Sequence, residues 1–173
     1  MADREEEGGG SILAGRAAEL ASLLKLQPHP EGGFFREVFR AAARVDPADG
    51  RGPRNALTSI DFLLARGQFS AWHRVASDEA WHLLEGTGLR LWCMPPTLDW
   101  IERVDLGAAS ATLAPRHTVG AHWWQAAEPL GEFAYVGATV GPGFDFADFA
   151  FLRGDPAATA ALHRLQPTLA RLL

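Results

Sequence analysis

The chain has 173 residues, 47% of them hydrophobic and 21% charged, with a formal net charge of -5. That size and balance suit one soluble globular domain with its own core. The acidic balance and the lack of any Lys/Arg run argue against a nucleic-acid partner, and no apolar stretch approaches the roughly 18 residues of a spanning helix, so no membrane partner is expected. Residues 1–7 are acidic, the opposite of a signal peptide's basic start. The one cysteine, Cys93, rules out an intrachain disulfide framework and lies in the apolar run 91–94, which suits core packing better than nucleophilic work. A cytoplasmic protein is expected.

In chain order, residues 1–10 end in three glycines and read as a disordered tail, leaving 11–173 as a single domain. From Ser11, a plausible N-cap, to about Leu26, apolar residues recur at helical spacing, and this helix should pack outside the domain. Residues 28–33 stop it. Gly32 and Gly33 there suit a tight turn or close strand crossing better than a phosphate cradle, because no helix start follows. An extended segment spans about 34–42, and 46–53 is a surface loop by its turn residues. Short strands then alternate with turns, near 56–64, 69–75, 79–85, 88–94, 98–106, 111–117, 122–128 and 132–140. Such a series predicts an all-β sandwich or barrel rather than a parallel α/β sheet. The tail from Pro156 has helical spacing interrupted by Pro167, which predicts two short helical turns.

Chemistry-bearing residues cluster in two places. In residues 67–86, His73 and Val75 share one strand face; Glu79, Trp81 and Leu83 share a face of the next strand, and His82 takes the other. A His and a Glu entering one cavity from neighbouring strands could ligate a metal, or act as a base and its orienting acid. The second cluster is 119–125, where Gln125 offers a neutral carbonyl or an amide donor. Arg36 and Glu37 point to opposite faces of the extended segment, and one of them could reach the pocket; Arg36 is the candidate for binding an anion.

The spacing of His73, Glu79 and Gly86 resembles the first motif of the cupin superfamily, with Val75 at the place of the second histidine. In the second motif Gly120, His122 and Gln125 fall at the places of the proline, the glycine and the histidine ligand. Together with 26–37 and 136–149, these segments resemble the cupin subfamily filed as a domain of unknown function. The resemblance covers about residues 20–153. It implies an antiparallel jelly-roll barrel, with a core at about 33–150, similar to dTDP-4-dehydrorhamnose 3,5-epimerase, and commonly a homodimer. It implies no established reaction.

Three functions are open at this point. One is a metal-independent isomerase or epimerase acting on a sugar or nucleotide-linked sugar, with His73 as base, Tyr135 as acid, and Arg36 or Arg74 holding a phosphate. Another is a non-catalytic binding or sensing module in which Trp81, Trp124 and Gln125 stack on and hydrogen-bond a small molecule. The third is a metal-dependent oxygenase holding a divalent metal through His73, Glu79 and Gln125; Val75 and Gln125 speak against it, so no cofactor is expected.

Overall fold

The computed structural model describes residues 13–173; the expected disordered tail and the Ser11 N-cap fall outside the described residues. Helix α1 (Gly15–Leu23) is followed by thirteen strands among the described residues. They are β1 (Gln27–Pro28), β2 (Phe34–Arg40), β3 (Arg44–Val45), β4 (Arg54–Asn55), β5 (Thr58–Ala65), β6 (Ser70–Val75) and β7 (Asp78–Gly86). They continue with β8 (Leu89–Met94), β9 (Glu102–Leu106), β10 (Arg116–Val119), β11 (Trp124–Pro129), β12 (Phe133–Gly141) and β13 (Phe149–Phe151). Helix α2 (Pro156–Leu165) and a 3-10 segment (Pro167–Leu172) close the chain.

Two antiparallel sheets face each other. One has the order β1-β2-β5-β12-β7-β10, the other β13-β6-β11-β8-β9. Neighbours such as β5 and β12, or β6 and β11, are far apart in sequence, so the two sheets together form a jelly roll. Period-2 alternation decides which residues enter the sandwich. On β12, Ala134, Val136, Ala138 and Val140 are buried while Phe133, Tyr135, Gly137 and Thr139 are less so. The inner core joins Phe62, Leu64, Trp81, Leu91, Cys93 and Val136. Burial pushes the Cys93 thiol up to about 12, which fits an inert core residue.

The outer faces are covered separately. Ala17 and Leu20 of α1 pack on Leu63 of β5, outside the barrel as expected. Leu162 of α2, with Leu169 and Leu172 after it, packs on Trp72, Trp92 and Trp124 of the five-stranded sheet. The tail differs from expectation in that its first part is a full ten-residue helix. Asp155 caps it by accepting from the Ala158 amide, and Pro156 sits in the first turn, where its missing N–H is harmless. Pro167 ends it, as its ring requires.

Candidate functional site

A cavity of about 280 Å³ opens within the barrel. Its polar wall is built by His29, Glu31, His73 and Glu79, and its apolar wall includes Phe35, Phe144, Phe146 and Phe149. The polar groups arrive from separate elements. His73 is on β6 and Glu79 on β7, both on inward faces, while His29 and Glu31 come from the loop between β1 and β2.

Glu31 reaches this place because its loop crosses the barrel closely. The Glu31 carbonyl accepts the Ala71 amide at 2.7 Å. Gly32 has φ +111, and a Cβ there would stand 2.1 Å from the Phe69 carbonyl oxygen, so only glycine permits the crossing. Glu31 Oε2 lies 2.6 Å from His73 Nδ1 and accepts the Ser70 hydroxyl at 2.6 Å. His29 Nδ1 stands 3.2 Å from Glu31 Oε1, with its ring edge-on to Phe35 and Phe62.

Behind the wall, Gln125 organises the polar groups. Trp81 Nε1, which can only donate, gives its proton to Gln125 Oε1 at 3.0 Å. That fixes the amide. Gln125 Nε2 then donates to Glu79 Oε2 at 2.5 Å and faces His73 Nε2 at 3.1 Å. In this arrangement His73 Nε2 is an acceptor and the ring proton sits on Nδ1, toward Glu31 and the Ala71 carbonyl at 2.8 Å. Glu79 Oε1 receives no hydrogen bond among the described residues.

The electrostatics follow from burial and this pairing. Burial pushes the His73 pKa down, but the Glu31 carboxylate outweighs it and raises the imidazole to about 9. Protonating Nε2 would set donor against donor, so it requires the Gln125 amide to leave its present contact. Burial opposes ionisation of Glu31, yet His73 holds its pKa below the usual carboxylate range. Burial drives Glu79 up, to about 7, with Glu31 adding to the rise and His73 and Gln125 opposing it. Burial holds His29 below the usual imidazole value.

The expected site residues divide clearly. His73, Glu79 and Gln125 come together, but Gln125 stands behind the cavity wall, not in it. Trp81 was expected to line the cavity; it is instead core, bonded to Gln125. Tyr135 is corrected: it lies on the outer face of β12, donates to Asp61 at 2.9 Å, and its phenol is pushed up to about 12 by burial and Asp61. Trp124 is also corrected, since it precedes the inward Gln125 and therefore points outward, under the Arg74 guanidinium at 4.3 Å. Arg36 pairs with Asp61 at 3.1 Å, and it is Glu37, on the opposite parity, that lines the cavity. His82 takes the face opposite Trp81, and His122 lies in a separate surface depression with Asp49, Arg51 and Arg74. His122 has φ +67, the left-handed region where a glycine would be at ease.

Sequence reasoning missed Glu31 and His29. The adjacent glycines, read as a close crossing, were the available signal. A divalent metal fits this wall poorly. Val75 offers no donor atom, the Gln125 face toward His73 is an N–H, and His73 Nδ1 is taken by Glu31. Among the described residues no three His, Cys, Asp or Glu side chains are placed to share a metal.

Known structures resemble this one. A hypothetical protein from Leishmania major is 28% identical, with a TM-score of 0.74 over 86% of this chain and 97% of its own. A Shewanella oneidensis protein is also 28% identical, with a TM-score of 0.76 over 92% of this chain and 98% of its own. An oxalate decarboxylase from Lactobacillus farciminis, 17% identical with a TM-score of 0.55 over 86% of this chain and 41% of its own, shares the fold alone. No curated protein matches the chain. Residues 18–152 match the family described as Cupin superfamily (DUF985), and the chain belongs to that cupin family.

Proposed function

We propose that the chain binds a small, sugar-sized polar ligand in the barrel cavity and moves a proton on it through Glu79, as an isomerase or epimerase does. The observation that carries this is the Glu79 carboxyl, 7% exposed on the cavity wall, with one oxygen held by Gln125 and the other open. A buried carboxyl with a pKa near 7 is poised both to take and to return a proton at neutral pH. His73 acts through Gln125. Its Nε2 lone pair accepts from the amide that also holds Glu79, so it is a positioning residue for Glu79 and not the base itself. A cavity of about 280 Å³ lies just below the roughly 300–1,000 Å³ of drug-sized sites and is too small to enclose a whole nucleotide sugar.

A second reading, a non-catalytic binding module, is favoured by one observation. Epimerisation needs an acid facing the base across the substrate, and Tyr135, the candidate for it, lies on the other side of the sheet. The experiment that separates the two is incubation with a panel of aldoses and ketoses in heavy water, read by mass spectrometry. Carbon-bound deuterium gained by a sugar with the wild type and not with Glu79→Gln supports proton transfer. Ligand binding without exchange moves the assignment to the binding module.

A further inference from the structure

The charges of the cavity wall do not balance, and this names a ligand class. That holds if this cavity is the ligand site, as proposed above. Among the described residues the wall carries four carboxylates, Glu31, Glu37, Glu79 and Asp145, and a single guanidinium, Arg40. Arg40 is already committed: Nε and Nη2 bond both oxygens of Glu37 at 3.0 and 2.6 Å, and Nη1 bonds Asn55 Oδ1 and the Phe144 carbonyl. His73 is paired with Glu31. Glu79 at the inner end and Asp145 on the wall make no direct ion pair among the described residues, although Asp145 Oδ1 accepts the Ala147 amide and its charge acts at longer range on Arg40 and Arg54; no free cation faces the cavity to receive a phosphate or carboxylate.

The apolar wall points the same way. Phe144, Phe146 and Phe149 stand mutually edge-to-face, with centroids 5.0, 6.2 and 6.4 Å apart and interplanar angles of 69–80°. Three rings so inclined form a corner, and Phe146 is 65% exposed, more than a ring needs to be for core packing alone. Ring faces attract cations, and an aromatic corner beside carboxylates is suited to an ammonium group.

We propose that the cavity selects a small organic cation, an ammonium or methylated ammonium on a sugar-sized or smaller body, with the charge held between the phenylalanine corner and Glu79 and Asp145. A bound cation favours the ionised form of Glu79 and gains from it, whereas an anion of the same size finds no such partner on this wall.

The test uses three probes of one shape: choline, its uncharged carbon isostere 3,3-dimethylbutanol, and the anion 3,3-dimethylbutanoate. Binding to the full chain is read by calorimetry at low and high salt. Choline is expected to bind about tenfold or more tighter than the alcohol, the anion not at all, and the preference for charge to shrink in Phe146→Ala and in Glu79→Gln. Phe146 is exposed, so its variant keeps the fold; circular dichroism checks this. Equal or tighter binding of the alcohol or the anion overturns the proposal while leaving the cavity as a ligand site. Failure of all three to bind at millimolar concentration also overturns it. Deuterium exchange on a sugar is a separate readout, so loss of the proton-transfer reading leaves this result standing.

Discussion

Glu31 Oε2 stands 2.6 Å from His73 Nδ1, with both side chains almost wholly buried. The pair joins a loop with no secondary-structure periodicity to the inward face of β6, and it sets the charge of the whole polar wall. Replacing Glu31 by Gln keeps the shape and removes the charge. Burial then acts on His73 with less opposition, so the imidazole pKa falls from about 9 toward or below 6.5. The sign for stability follows. The His73 contribution is complete below pH 6.5 and is lost as pH rises through about 9, so Glu31→Gln should flatten the stability profile across that window. Histidine NMR titration and denaturant unfolding from pH 6 to 9 check both points. An unmoved His73 titration would show that Glu31 does not govern it.

Gln125 joins three groups at once, Trp81 Nε1, Glu79 Oε2 and His73 Nε2, and is 1% exposed. Gln125→Ala leaves three buried polar atoms without a partner. Each unsatisfied group costs about 1–3 kcal/mol. The variant should lose more than about 2 kcal/mol of stability by urea unfolding, whereas Gln125→Glu, which keeps an oxygen for Trp81 but sets a carboxylate against Glu79, should lose stability most at high pH.

How much of this was legible beforehand depends on periodicity. Most strands from 58 to 141 were readable because Gly or Pro marks nearly every turn, the Ala76-Ser77 turn between β6 and β7 being the exception. But β9 (Glu102–Leu106) starts later than the expected 98–106, and β10 (Arg116–Val119) lies mostly beyond the expected 111–117, where an irregular loop runs instead. The alternation of strand faces brought His73 and Glu79 to one cavity. It also held the information that misplaced residues needed. Ala134, Val136, Ala138 and Val140 form the inward series on β12, which leaves Tyr135 outside; Trp124 and Gln125 are adjacent on a strand and so must face opposite ways. The two-residue strand β1, the short hairpin of β3 and β4, and β13 were not readable, since two or three residues carry no period. Glu31 was hidden for a related reason. Its position is set by a backbone crossing between distant segments, and no local pattern encodes which carboxylate such a loop delivers.

Glu79 carries the clearest pH signature. Its pKa in the folded chain is about 7 against an ordinary 4.5, so its protonated form is favoured by folding. A raised pKa gives stability that is complete below pH 4.5 and lost as pH rises through 7. The loss is on the order of 3 kcal/mol for a shift of this size. Glu79→Gln is neutral at every pH and its side-chain oxygen can still accept from Gln125 Nε2. It should therefore be more stable than the wild type at pH 8 and gain little at pH 4. Chemical unfolding at several pH values reads the difference; parallel curves for the two proteins would mean Glu79 titrates normally.

Gly32 tests whether the loop crossing is what delivers Glu31. A methyl group there meets the Phe69 carbonyl oxygen at 2.1 Å on a backbone with φ +111, so both space and conformation forbid it. Gly50 is the control. It also has positive φ, +86, but a Cβ there meets nothing within 4 Å. Gly50→Ala should cost only the left-handed penalty of roughly 1–2 kcal/mol. Gly32→Ala must in addition push two backbone segments apart, so its loss should exceed that of Gly50→Ala. It should also draw Glu31 away from His73, because the Glu31 carbonyl bond to the Ala71 amide sits one residue from the clash. The His73 titration should then move in the direction seen for Glu31→Gln. Equal losses of stability in the two glycine variants, with His73 unchanged, would show that the crossing is loose enough to absorb a methyl group and that something other than Gly32 holds Glu31 in place.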